Sequence, residues 1–317
     1  MKTTDVTPAD LLRCPLALPP MAHTVSGEIA VAEQKKILDW LRAGGITTFL
    51  YGGCANFFNA SVRAYAATLD LVEELAQADD WVIPTIGPDF GKAMDQAEIL
   101  KGRRFPAAML LPLAPVTATG VATGLRRLSD TVGKPLMVFF KSADYVRAAD
   151  LAAMIKDGVL CCVEYGIGGS TDKAEPFLAE LLERTSSADA IIDGAGERTI
   201  TTHARFGIKG YTSGSGVVAP HLSVALLDAV KCGALEEAER LRAHFLELEG
   251  LRQAHSPIPV LHDAVRLAGI ADTGPIGPFF SNVSDEAALK SIAAAATKLK
   301  TASLGQLKTA ALRQGVP

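Results

Sequence analysis

Short apolar runs alternate along the chain with segments whose apolar positions recur every three or four residues. The first kind reads as a strand covered on both faces, as in a parallel sheet. The second reads as a helix with one covered stripe. Apolar runs fall at residues 16–21, 46–51, 81–85, 107–111, 136–140, 159–164, 188–193 and 208–213. Each is followed by a helical pattern, at 30–43, 62–75, 92–101, 124–132, 148–157, 173–184, 198–206 and 221–232. The punctuation agrees: Gly44 and Gly45 stop the first helix, Ser61 caps the second, and Pro220 opens the eighth at its first position. Three more helical segments, 235–250, 257–267 and 285–312, follow without a low-complexity linker.

Eight successive strand–helix units with no break between them predict a (β/α)8 TIM barrel rather than the alternative, a doubly wound open sheet. The expected organisation is a barrel over residues 1–232 and a C-terminal helical extension over 233–317 packed on it.

Charge and composition narrow the function classes. A formal charge of −4 carries no nucleic-acid or membrane footprint. The five cysteines, Cys14, Cys54, Cys161, Cys162 and Cys232, are odd in number and show no CxxC spacing, so neither a disulfide framework nor a structural zinc site is expected. Cys161 and Cys162 lie inside an apolar run and read as core. The first ten residues lack the charged-then-apolar pattern of a signal peptide. The longest apolar run, 107–116, is too short and too broken by proline to span a bilayer. A soluble, cytoplasmic protein is expected.

Candidate chemistry gathers where strands end. Val159 to Val163 are all apolar, and the run closes on Glu164 before a glycine-rich stretch ending at Gly169. A carboxylate at the C-terminal end of a parallel strand stands where α/β proteins build their sites. Lys141 lies two residues beyond Phe139, on the same side of an extended strand, as a relocated amine, a cation for Glu164, or a solvated loop residue. Tyr51 and Tyr165 are candidate phenols or packing groups. Cys54 is a candidate thiolate, although no base for it is identifiable. His23, Asp193 and Glu197 also fall in strand-end loops and with Glu164 form an oxygen/imidazole metal set scattered over several loops. His203, His221, His244, His255 and His262 fall on outer helices and read as structural or exposed. Phe57, Phe58, Phe139 and Phe140 make the strand ends aromatic.

Several of these stretches carry a family likeness. Gly53-Cys-Ala-Asn-Phe-Phe-Asn-Ala-Ser61 follows the second strand, Thr85-Ile-Gly87 the third, and Pro135-Leu-Met-Val-Phe-Phe-Lys141 forms the fifth. Val163-Glu-Tyr-Gly-Ile-Gly168 ends the sixth, Asp193-Gly-Ala-Gly-Glu197 the seventh, and Gly210-Tyr-Thr-Ser-Gly-Ser-Gly-Val-Val-Ala-Pro220 spans the eighth. In order and spacing the chain resembles the dihydrodipicolinate synthase / N-acetylneuraminate lyase superfamily over nearly its whole length. The last stretch is the most specific match. The resemblance implies a lyase that binds a 2-oxo acid as a Schiff base on a lysine of the sixth strand, with a tyrosine of the fifth relaying protons. It implies that the loop after the second strand holds the substrate carboxylate.

At the positions that carry this chemistry the chain departs from the family. Glu164 stands at the lysine, Phe139 at the tyrosine, and Cys54 and Ala55 at the threonine pair. Glutamate forms no imine, and phenylalanine carries no proton. The expectation is therefore an aldolase or dehydratase on a small oxo- or hydroxy-acid working by another mechanism. Glu164 and Lys141 are its catalytic candidates, and Gly53, Cys54, Ala55, Phe139 and Ser213 its substrate-binding ones. No cofactor or metal is assigned. The alternative is a non-catalytic ligand-binding or regulatory homologue. Partners are expected to be a small-molecule acid and, by the resemblance, copies of the same chain in a dimer or tetramer.

Overall fold

Two prolines decide where the first strand ends. In the computed structural model, which describes residues 1–168 and 175–313, β1 covers only Leu16–Ala17 rather than 16–21. Pro19 and Pro20 offer no N–H to a ladder, so pairing stops before them. The other strands are β2 Thr48–Tyr51, β3 Trp81–Ile86, β4 Ala108–Leu110, β5 Leu136–Phe140, β6 Leu160–Tyr165, β7 Ile191–Asp193 and β8 Gly210–Ser213. They follow one another round a closed barrel in sequence order, so the eight expected strands are all present and the open sheet is excluded. Every residue of β3 is buried, polar Thr85 included. That is the pattern of strands covered by side chains within and helices without.

The helices begin where the sequence offers caps. Ser61 accepts from the Ala64 N–H at 3.1 Å ahead of Val62–Leu75. Asp89 accepts from Lys92 at 2.8 Å ahead of Phe90–Leu100, and Thr117 from Gly120 at 3.3 Å ahead of Ala118–Val132. Gly133 closes the last of these with φ 71°. Lys173, the expected start of the seventh helix, and Gly169 lie outside the described residues. The described part of that helix runs Pro176–Thr185.

Two expected helices are broken. The segment 198–206 is a relay of short turns, Gly196–Arg198, Ile200–His203 and Ala204–Phe206. Thr199 and His203 are tied back to Asp193, and Gly207 stops the segment at φ 87°. The segment 235–250 divides into Leu235–Arg242 and Leu246–His255. The break turns the fully buried Phe245 into the core and sets Leu248, Glu249 and Arg252 on the covered face of the second helix. Pro257–Leu267 and Glu286–Arg313 complete the extension.

By internal contacts the chain forms two compact units. One contains Met1–Arg13 and Ala60–Thr212; the other contains Cys14–Asn59 and Ser213–Pro317. Among the described residues no helix is long and apolar enough to cross a membrane.

Candidate functional site

In the unit holding β3 to β7, the end of β6 lies between β5 and β7, with Glu164 opposite Phe139 on one side and Ile192 on the other. The side chain is 3% exposed. Its Oε1 accepts the Thr212 hydroxyl at 2.9 Å, while its Oε2 is enclosed and has no hydrogen-bond partner. Burial pushes the carboxyl pKa up to about 8. The Thr212 bond opposes that shift, the Asp193 carboxylate adds to it, and the Lys141 charge weakly offsets it. At neutral pH the group is mostly the uncharged acid.

The Phe139 ring packs against two glycines, and Glu164 against one of them. A Cβ on Gly194 would lie 2.8 Å from Glu164 Cγ and 2.9 Å from the Phe139 ring. One on Gly166 would lie 2.5 Å from the same ring. Glycine is required at both places by close approach. Lys141 is exposed and holds its Nζ over the Phe139 ring, 5.5 Å from the centroid. It makes no ion pair with Glu164 among the described residues. Glu164, Phe139 and Lys141 are thus brought together, with the amine over the ring.

Tyr165, the next residue on β6, faces the other way, as strand alternation requires. Its hydroxyl donates to Glu175, and its ring meets His203 edge-on at 5.4 Å and stacks on Phe177 at 6.3 Å. Burial and the neighbouring carboxylates of Glu175 and Asp193 push the phenol pKa up. It is a packing group of the helix layer and not a substitute for the phenol missing at Phe139.

Asp193 ties the loop after β7. Its Oδ1 accepts from the N–H groups of Ala195 (2.7 Å) and Gly196 (2.9 Å) and from the Thr199 hydroxyl (2.8 Å); its Oδ2 meets His203 Nδ1 at 2.6 Å. His203 also lies 3.8 Å from Glu175. Burial disfavours the imidazolium, but the bonds and charges of Asp193 and Glu175 outweigh it and raise the pKa. Asp193 is therefore committed to holding its loop. No group of three or more His, Cys, Asp or Glu among the described residues could hold a metal ion, so His23, Asp193, Glu197 and Glu164 do not gather as one.

The other unit holds the remaining candidates. Gly53–Ala55 is a tight turn directly after β2, ended by Asn56 at φ 57°. Arg252 Nη2 lies 3.9 Å from Cys54 Sγ, and Arg252 Nη1 donates to Glu249 at 2.5 Å. Ser215 donates to the same carboxylate oxygen. The guanidinium also packs against Gly214, where a Cβ would come within 2.3 Å of it. Ser213 Oγ is 3.0 Å from Ser223 Oγ, and Tyr51 accepts from Gln34 at 3.3 Å.

Sequence reasoning missed Thr212, Ser215, Glu249 and Arg252. The spacing of Glu249 and Arg252, three apart on a helix, was the one available signal for a pair. Nothing in the order of residues tells that Thr212 reaches the carboxyl of Glu164.

No family model and no curated protein sequence matches the chain. Solved structures do. The dihydrodipicolinate synthase of Oceanobacillus iheyensis matches with a TM-score of 0.81 at 17% identity, over 93% of this chain and 99% of that one. The dihydrodipicolinate synthase of Bacillus clausii matches at 0.80 and 21% identity, over 93% and 98%. A prophage protein of the dihydrodipicolinic acid synthase family from E. coli K12, solved in complex with pyruvate, matches at 0.77 and 17% identity, over 90% and 98%. At such identities the likeness is one of fold: the chain adopts the form of (β/α)8 barrel, C-terminal helices included, found in dihydrodipicolinate synthases.

Proposed function

We propose that the protein is a divergent member of the dihydrodipicolinate synthase / N-acetylneuraminate lyase superfamily. It acts as an aldolase or dehydratase on a small oxo- or hydroxy-acid, with Glu164 in place of the imine-forming lysine. The observation that carries this reading is the state of Glu164: a buried carboxyl, poised near pH 8, with one oxygen unpartnered, at the C-terminal end of β6. A carboxyl held near neutrality can give a proton to a carbonyl or departing hydroxyl oxygen and take one from an adjacent carbon. Lys141 supplies positive charge beside a substrate acid. Phe139 shapes the binding of the rest. We assign the protein to the cytoplasm and to a homo-oligomer on the same likeness.

A second reading, a non-catalytic binding protein, is favoured by one observation: the Phe139 ring packs with Glu164 against Gly194 and brings no phenol in place of the missing one. Turnover separates the two. A panel of 2-oxo acids, their aldol products and hydroxy-acids is followed by proton NMR with wild type, Glu164→Gln and Glu164→Ala. The lyase reading expects turnover of at least one compound, falling about 10²–10⁴-fold in both variants. Binding of a panel member without turnover supports the second reading.

A further inference from the structure

Beyond β4 the chain leaves large apolar side chains in solvent. Phe90, Leu113 and Val116 are 42%, 40% and 40% exposed. All three line one cleft of about 220 Å³, in the unit holding β3 to β7. Buried Leu110 from β4 and buried Val121 and Leu128 from helix Ala118–Val132 line it too. Glu164, Phe139 and Lys141 do not. Apolar surface exposed singly is ordinary, whereas apolar surface gathered in a concavity marks a binding site.

Glycine leaves room in this cleft. Gly120 and Gly124 stand inside helix Ala118–Val132 and line it. Glycine in a helix interior costs about 1 kcal/mol against alanine. Packing does not demand it at position 124, where a Cβ would meet only the Phe90 ring, at the ordinary distance of 3.6 Å. Polar side chains in the cleft are already engaged. The Thr117 hydroxyl accepts from the Gly120 N–H at 3.3 Å, and the Tyr145 hydroxyl meets the Leu113 backbone. One charge stands by the Phe90 wall. The exposed Arg127 holds its guanidinium over that ring, 5.3 Å from the centroid, and pairs with no carboxylate among the described residues. The carboxylate next to Phe90 in the chain, that of Asp89, is engaged as a helix cap with the Lys92 N–H.

We propose that this cleft binds a small carboxylic acid with an aromatic or branched aliphatic body, its apolar part beside Phe90, Val121 and Leu128 and its carboxylate at Arg127. Size sets the body: an apolar cavity of about 150 Å³ holds one benzene, so the larger space here takes a ring and a short chain. Charge sets the head group, because an unpaired guanidinium favours an anion over a neutral molecule of the same shape. The site is separate from the one assigned to Glu164 and does not depend on that assignment.

The test is isothermal calorimetry and proton NMR of the full chain with 3-phenylpropionate as probe, against 3-phenylpropan-1-ol, which keeps the ring without the charge, and propionate, which keeps the charge without the ring. The acid is expected to bind with a Kd on the order of 0.1–1 mM. The alcohol should bind about threefold to fivefold more weakly, the worth of an exposed ion pair. Propionate should bind at least about tenfold more weakly, having no ring to bury. Arg127→Met should bring the acid down to the affinity of the alcohol and leave the alcohol unchanged. Gly124→Leu fills the space beside Phe90 and should weaken the acid at least about tenfold, with a melting temperature no lower than wild type, because leucine is the better helix former. Should that variant fail to fold, intermolecular NOEs in wild type decide, expected from the ring protons to the methyls of Leu113, Val116 and Val121. No binding of 3-phenylpropionate, NOEs to other methyls, undiminished affinity in a folded Gly124→Leu, or an alcohol bound as tightly as the acid overturns the proposal. So does sedimentation of a dimer that Leu113→Lys dissociates, since a second copy then covers the cleft.

Discussion

Asp193 Oδ2 holds His203 Nδ1 at 2.6 Å, and Glu175 Oε1 faces the other ring nitrogen at 3.8 Å. The pair raises the folded-state pKa of His203 above its ordinary value. A raised folded pKa means the folded state holds the proton more tightly than the unfolded chain. The stabilisation is full below the unfolded value of about 6.5 and is lost as pH rises through the folded one. Thermal melts should therefore show wild type losing stability as pH rises past neutrality. His203→Gln should lack that component. A pH dependence unchanged by the substitution would show that His203 is neutral throughout.

Glu164 carries the same sign on a different group. Its folded pKa of about 8 lies above the ordinary carboxyl value, so the protein pays for ionising it as pH climbs from the acid range towards 8. The full penalty is of the order of 3–5 kcal/mol for a carboxyl so displaced. Denaturant melts should find Glu164→Gln less pH-dependent than wild type and more stable than it at pH 9. Equal stability of the two proteins at pH 9 would place the carboxyl in a far more solvated setting than its burial implies.

How much of this was legible in the sequence depends on range. β5 was readable to the residue and β6 to within one, because Leu136 to Phe140 and Leu160 to Val163 are unbroken apolar runs. β1 was overdrawn because apolar character continued past Pro19 and Pro20 while the hydrogen bonding could not. The helix expected over 235–250 was broken because tertiary burial of Phe245 outweighed a helical pattern that had no stop signal. Glu164 was visible as a strand-end carboxyl. Its protonation was not, because that depends on burial by the folded chain, which outweighs the opposing bond from Thr212, 48 residues later. Tyr165 looked like a candidate phenol until strand alternation sent it to the helix layer, and His203 looked peripheral until Asp193 drew it into the core.

Gly194 is placed by crowding. Gly194→Ala would put a methyl 2.8 Å from Glu164 Cγ and 2.9 Å from the Phe139 ring. Overpacking of this kind costs about 1–3 kcal/mol. Phe139→Leu should recover part of it, giving a non-additive double-mutant cycle by chemical denaturation. Strict additivity would show that the ring is not what the methyl meets.

Arg252 and Glu249 form a buried ion pair at 2.5 Å, with Ser215 on the same carboxylate. Arg252→Met leaves Glu249 buried without its cation and should cost about 3–5 kcal/mol. Adding Glu249→Leu should return much of that loss. Equilibrium unfolding of the two single variants and the double variant measures it. A single variant within 0.5 kcal/mol of wild type, on the order of an ordinary surface change, would mean that water reaches the pair.

With Glu164 where the proposed function needs no lysine, no imine is expected on β6. Glu164 offers no amine there, nor do Val163 and Tyr165, and Lys141 is exposed beyond the Phe139 ring. The direct measurement is incubation with pyruvate and sodium borohydride, followed by intact mass and peptide mapping. An unmodified protein is expected. A stoichiometric reduced adduct mapped to Lys141 would contradict it and show that the amine has migrated from β6 to the end of β5.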